Sequence, residues 1–175
     1  MSRRAGKPFL ASILLKLADQ KVPLYKIVIQ KFTYFVDSLY FRSGFRFKPF
    51  TYGPFSFGLA EALDEMEFAG VVKCRGIQYE VLDESSLNLE ISDDLSRKLE
   101  DAISQFCEIV DGKFDFPHME ILGTALYCAR ALKASGEDVT LDAIIKDFKA
   151  WKGQKYPDQD IITIVDRMLP YFLAS

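Results

Sequence analysis

The sequence predicts a mainly α protein with a small β-hairpin, in which a winged-helix-like N-terminal half packs on a C-terminal helical half. Three observations carry this. Apolar residues recur at helical spacing in seven separate segments. One stretch, VVKCRGIQYEVL (71–82), alternates instead, around a glycine. The order helix, helix, short extended piece, helix, hairpin is that of a winged helix-turn-helix, with four more helices after it. No Gly/Ser-rich linker separates 1–91 from 92–175, so the two halves are expected to share one core.

The first helix opens after Pro8, carries Phe9, Leu10, Ile13, Leu14 and Leu17 on one face, and closes near Pro23. The second begins near Leu24. Its stripe of Val28, Phe32, Phe35, Val36 and Leu39 is widened by Ile27, Tyr34 and Phe41, the pattern of a helix central to a core. Gly44 is expected to end it. FRFKPF (45–50) then alternates, rings to one side and Arg46 and Lys48 to the other, with Pro49 confining it to an edge strand or extended loop.

Ser56 caps the third helix, which faces inward through Leu59, Leu63 and Met66 and stops at Gly70. The hairpin follows, with Arg75-Gly76 as its turn and Val72, Cys74, Ile77, Tyr79 and Val81 on one side. After it, Leu87, Leu89 and Ile91 offer one more short strand. Ser92 caps a fourth long helix (Leu95, Leu99, Ala102, Phe106, Val110). The fifth runs from Pro117 to Gly136. Thr140 caps the sixth, with Ile144, Phe148 and Trp151. The seventh starts at Asp158 and carries Ile161, Val165, Met168 and Phe172.

Composition narrows the function. A chain of 175 residues with 49% hydrophobic and 27% charged residues can bury a core without a staple. Net charge is −3, which excludes a generally basic nucleic-acid binder but leaves room for a local basic patch. Cys74, Cys107 and Cys128 are odd in number and lack a CxxC, so reduced thiols and a cytoplasmic setting are expected. The apolar run near the start is broken by Ser12, Lys16 and Asp19, which reads as a helix and not a leader; no stretch approaches the length of a membrane span.

Catalytic chemistry has little to work with. His118 is the single histidine, placed at a helix start where a solvated or capping role is the plain reading. No nucleophile motif frames a pairing of Cys107 or Cys128 with it. Asp93 and Asp94 complement a helix dipole. Neither a phosphate-binding loop nor metal-ligand spacing is present. No enzyme, cofactor or metal site is expected.

Residues 50–58, FTYGPFSFG, are the most distinctive stretch. QKFTYFVDSLY in the second helix, then FTYGPFS, then a helix ending EFAGVV, resembles the YwgA-like family and the related SocA-like (Panacea-type) antitoxin domains. The matching residues are Lys31, Tyr34, Tyr52, Gly53, Pro54, Ser56 and Gly70. WKGQKYPDQDI (151–161) resembles the Lys-rich step before the final helix of the YwgA-like group. VLDESS replaces the Leu-Thr-x-x-Gly ending of the hairpin, and no tryptophan-bearing helix follows Tyr34, which favours the looser YwgA-like grouping. The resemblance implies a fold of this kind, no catalytic residues, and a role in binding a protein such as a toxin or a protease-type client.

On physical grounds the Tyr-Gly-Pro step has two readings: a corner whose rings close one end of the core, or a site that sets Tyr52 and Phe57 on the surface. The third helix adds a second feature. Phe57, Glu61, Asp64 and Phe68 fall on one line opposite its apolar face. They form either a solvated face with its end rings folded inward or a protein-docking surface, including one that pairs with Arg42, Arg46 and Lys48 of a second copy in a homodimer.

Nucleic acid is the second candidate partner. The contacts would be Arg42, Arg46 and Lys48, Lys73 and Arg75 on the hairpin, and Arg3, Arg4 and Lys7 near the start. The third helix, where a reading helix would lie, holds Glu61, Asp64, Glu65 and Glu67 and no Lys or Arg. Each acid facing a phosphate at ~6 Å costs roughly 0.7 to 2.8 kcal/mol, and several together exceed a base contact worth about 1–3 kcal/mol. That helix is not expected to read DNA.

Overall fold

The computed structural model describes residues 6–87 and 91–175. The elements are, in order, α1 (Gly6–Asp19), α2 (Lys26–Leu39), β1 (Lys48–Phe50), β2 (Gly53–Phe55), α3 (Phe57–Phe68), β3 (Val72–Arg75) and β4 (Gln78–Val81). They continue as α4 (Glu84–Leu87), α5 (Asp93–Val110), α6 (Phe116–Ala134), α7 (Leu141–Lys152) and α8 (Asp158–Ala174). The chain is mainly helical, as expected, and the described residues hold two small antiparallel hairpins where the sequence predicts one.

α2 is the axis of the core. Every residue from Val28 to Val36 is buried, Gln30, Lys31 and Thr33 included. It packs on α6 along one side and on α5 and α1 along others, while α8 and α7 cover α6. One apolar cluster runs through these helices from Leu10 to Phe172, with Phe32, Phe35 and Phe106 in ring-to-ring contact at its middle.

The expected caps are in place. Ser56, Ser92 and Thr140 each accept a backbone N–H three residues on. Asp115 does the same for α6, a cap the sequence reading did not assign. α3 closes on Gly70 in a Schellman arrangement: Val71 N–H donates to the Met66 carbonyl and Gly70 N–H to that of Glu67, with Gly70 at φ +77°.

Several expectations need correction. α2 ends at Leu39 and not at Gly44, because the Asp37 carboxylate takes the Ser43 N–H and turns the chain early. The turn of the second hairpin is Gly76-Ile77, with Arg75 paired to Gln78. Ile77 therefore sits at the loop tip, exposed, while Val72 and Tyr79 are buried. Leu87 belongs to the short α4, where Asp83 binds Ser85 and Ser86, and not to a strand; Leu89 lies outside the described residues, as do Arg3 and Arg4.

The additional hairpin is made by the Tyr-Gly-Pro segment. Phe50 pairs with Gly53 across a Thr51-Tyr52 loop, and Pro49 faces Pro54. Gly53 at φ +91° follows a loop whose own residues keep negative φ, the pattern of a turn closed by a G1 bulge. β1 falls within the 45–50 stretch expected as an edge strand or extended loop, whereas β2 opens on Gly-Pro and carries no alternation from which its pairing could be read.

Candidate functional site

Gly53 and Pro54 are buried although the hairpin tip is exposed. Two side chains of α2 hold them. Lys31, 2% exposed, donates from Nζ to the Pro54 carbonyl at 2.7 Å. Gln30 makes a reciprocal pair with Ser56, donating to its carbonyl and accepting its N–H, both at 2.9 Å. The hairpin is thus docked through its backbone by polar groups of the central helix.

Space is tight around it. A Cβ on Gly53 would lie 2.9 Å from the Thr124 hydroxyl, and one on Gly123, in mid-α6, 2.8 Å from the Lys31 stem. Gly123 therefore lets α6 close on Lys31 and Pro54. Thr124 Oγ1 is buried beside Gly53 without a hydrogen-bond partner among the described residues.

Behind the lysine lies a buried carboxylate. Glu120 of α6 is fully buried and meets Lys155 Nζ at 2.8 Å, Lys152 Nζ at 3.1 Å and the Tyr156 hydroxyl. Lys152 also donates to the Thr51 carbonyl at 2.9 Å, so the end of α7 grips the hairpin loop. Burial raises the cost of ionising Glu120, but the donors from Lys155, Tyr156 and Lys152 outweigh it and hold its carboxyl below the ordinary range. Burial lowers the Lys31 amine to about 7, opposed by Glu120 and aided by Lys152.

Above this buried cluster the rings form an exposed rim. Phe50, Phe55 and Phe57 lie 5.0 to 5.7 Å apart by centroid, and Tyr52 meets Phe116 edge to face at 4.4 Å. Phe50 and Phe57 are 50% and 57% exposed. The Tyr-Gly-Pro step thus satisfies both of its readings in different atoms: its backbone closes the core, and Tyr52 and Phe57 face outward. Beside the rim, Tyr52, Phe55, Phe116 and Tyr79 wall a cleft of about 360 Å³, which the Lys31 side chain, Lys26 and Asp64 also line.

The outer line of α3 is exposed throughout, Phe68 at 97%. Its end rings do not fold back into the core. Some of the helix's charge is engaged within the chain: Lys7 pairs with Glu65, and Glu67 accepts the Cys74 N–H. Asp64 makes no ion pair among the described residues.

The predicted basic contacts are partly engaged within the chain. Arg75 is tied to Glu80 at 2.6 Å. Arg46 and Lys48 share a groove with Lys7, Glu61 and Glu65 of the same chain, so basic strand and acidic helix already adjoin without a second copy. His118 Nδ1 sits 2.6 Å from Asp115 at the start of α6, and Cys128 lies ten residues along the same helix, about 15 Å away. No group of metal-ligating side chains occurs among the described residues, and none of their helices is long and apolar enough to cross a membrane.

A scan of the chain against protein-family models gives no match, and a search of curated proteins gives none. The resemblance rests on motif positions. Of these, Lys31, Gly53, Pro54 and Ser56 meet at the hairpin, together with the lysine-rich step that ends α7, whereas Tyr34 lies apart, against Phe47 and Arg130. Sequence reasoning missed Gln30, Glu120, Gly123 and Phe116. The only signal was Glu120 itself, an acid inside the apolar run MEILG.

Proposed function

We propose that this chain is a non-enzymatic protein-interaction module that grips an apolar, basic segment of a partner protein with the aromatic rim and the adjoining outer face of α3. The observation that carries the reading is the exposed cluster of Phe50, Phe57, Tyr52 and Phe116 on a hairpin locked from behind by Lys31 and Gln30. Exposed rings on a rigid support are the anchors that protein interfaces use, because little entropy is lost when they are covered. Asp64 at the cleft, which makes no ion pair among the described residues, and the absence of Lys or Arg from α3 favour a basic segment over an acidic one. A role as antitoxin or adaptor is the form this takes if the YwgA-like resemblance extends to function. Three free cysteines fit a reducing, cytoplasmic setting.

A nucleic-acid regulator is the second reading, and it is less well supported: Arg75 is engaged by Glu80, and α3, where a reading helix would lie, carries four acids and no Lys or Arg. The test is selection from a random peptide library displayed on phage. The expected peptides combine aromatic or aliphatic anchors with Lys or Arg, and lose binding at least tenfold to Phe57→Ala and to Asp64→Lys at unchanged thermal stability. Failure to enrich any sequence, or enrichment indifferent to both substitutions, would remove the proposal.

A further inference from the structure

A second groove, of about 640 Å³, lies on another side of α2, between the 42–47 segment and α6. Arg42, Arg46 and Arg130 line it, together with Tyr34, Phe47 and Tyr127. The three guanidiniums come from two separated parts of the chain. None makes an ion pair among the described residues. Arg130 is held in place by the Ser38 hydroxyl at 3.3 Å and by the face of Tyr34 at 5.2 Å. Gly44, at φ +90°, turns the connector between Arg42 and Arg46.

One carboxylate, Asp37, also lines the groove and accepts the Ser43 N–H; its single charge offsets one of the three guanidiniums and leaves the groove net positive. Burial raises its pKa, against the Ser43 bonds and the pull of Arg130 and Arg42. Guanidiniums do not deprotonate, so the positive charge of the groove cannot be relieved by titration. An anion relieves it, and forked Arg donors match the oxygens of a phosphate. Phe47 and Tyr34, with ring centroids 5.1 Å apart, and Tyr127 supply apolar wall for a flat ring, while Ala131 and Ala134 leave room along α6.

We infer that this groove binds a phosphate ester of a planar-ring compound, a mononucleotide being the simplest member of the class, with Arg42, Arg46 and Arg130 on the phosphate. The site is distinct from the aromatic rim and does not depend on the function proposed for it.

Calorimetric titration of the full chain with AMP, adenosine, phenyl phosphate and inorganic phosphate tests the inference. AMP and phenyl phosphate should each bind at least tenfold more tightly than adenosine or inorganic phosphate, and more weakly as salt rises. Arg130→Gln and Arg42→Gln should each weaken AMP at least fivefold, while Lys73→Gln, on the β3–β4 hairpin, should leave it unchanged. No AMP binding at millimolar concentration, or binding indifferent to both arginine substitutions, would overturn the inference. So would a single-stranded oligonucleotide that binds a hundredfold more tightly than AMP, since that would assign the groove to nucleic acid.

Discussion

The two hairpins are alike in size and differ in how they are fixed. β3–β4 is docked by side-chain alternation: Val72 and Tyr79 go into the core, and its backbone is extended by Leu24 to Lys26, whose segment exchanges hydrogen bonds with Ile77 and Tyr79. β1–β2 buries little of its strands beyond Gly53 and Pro54 and is held by Lys31, Gln30 and Lys152 bonding to its backbone. The first mode gains from the hydrophobic effect and tolerates change at the loop. The second depends on buried charges whose partners must all be present, which makes it stiff and sensitive. A stiff hairpin is what an exposed set of anchor rings needs.

Predictions that separate the two modes run from large effects to small. Glu120→Gln removes the carboxylate between Lys152 and Lys155 and should destabilise by about 3 kcal/mol or more, the usual result of breaking a buried pair. Urea denaturation with an unchanged slope reads this; a loss under about 1 kcal/mol would show the cluster is not under electrostatic tension.

Lys31 should impose a pH dependence. Its folded-state pKa of about 7 lies below the ordinary 10.5, so the folded state binds fewer protons between these values and stability rises with pH across that window. The gain between pH 7 and 9 should be on the order of 2 kcal/mol, and Lys31→Met should flatten it. Identical slopes in the two proteins would mean that the amine keeps its charge.

The glycines provide the cleanest contrast. Gly53→Ala meets both a positive φ and the Thr124 hydroxyl and should cost about 2 kcal/mol or more. Gly76→Ala has positive φ but open space and should cost about 1 kcal/mol. Equal losses in thermal denaturation would show that β1–β2 yields as easily as β3–β4. Ile77→Ser, at the exposed tip of the tolerant hairpin, should change stability by less than about 0.5 kcal/mol.

Local rules made much of this molecule legible from its sequence. The helices carrying Leu10 to Leu17, Val28 to Val36 and Ile161 to Phe172 lie where their periods put them, because an apolar stripe specifies its helix within a few turns of chain. Ser56, Ser92 and Thr140 cap, and Gly70 ends α3, because a terminus needs partners only within three or four residues. The same periodicity put Phe57, Glu61, Asp64 and Phe68 on one line, but only the structure decided that the two end rings face outward. Tertiary structure alone decided which charges went inside. Lys31 stood out as a motif position, but its helical period gives no sign of burial, which depends on Pro54, on Gly123 and on Glu120, 23, 92 and 89 positions away. A charge enters a core only when distant partners converge on it, and no local period records that convergence.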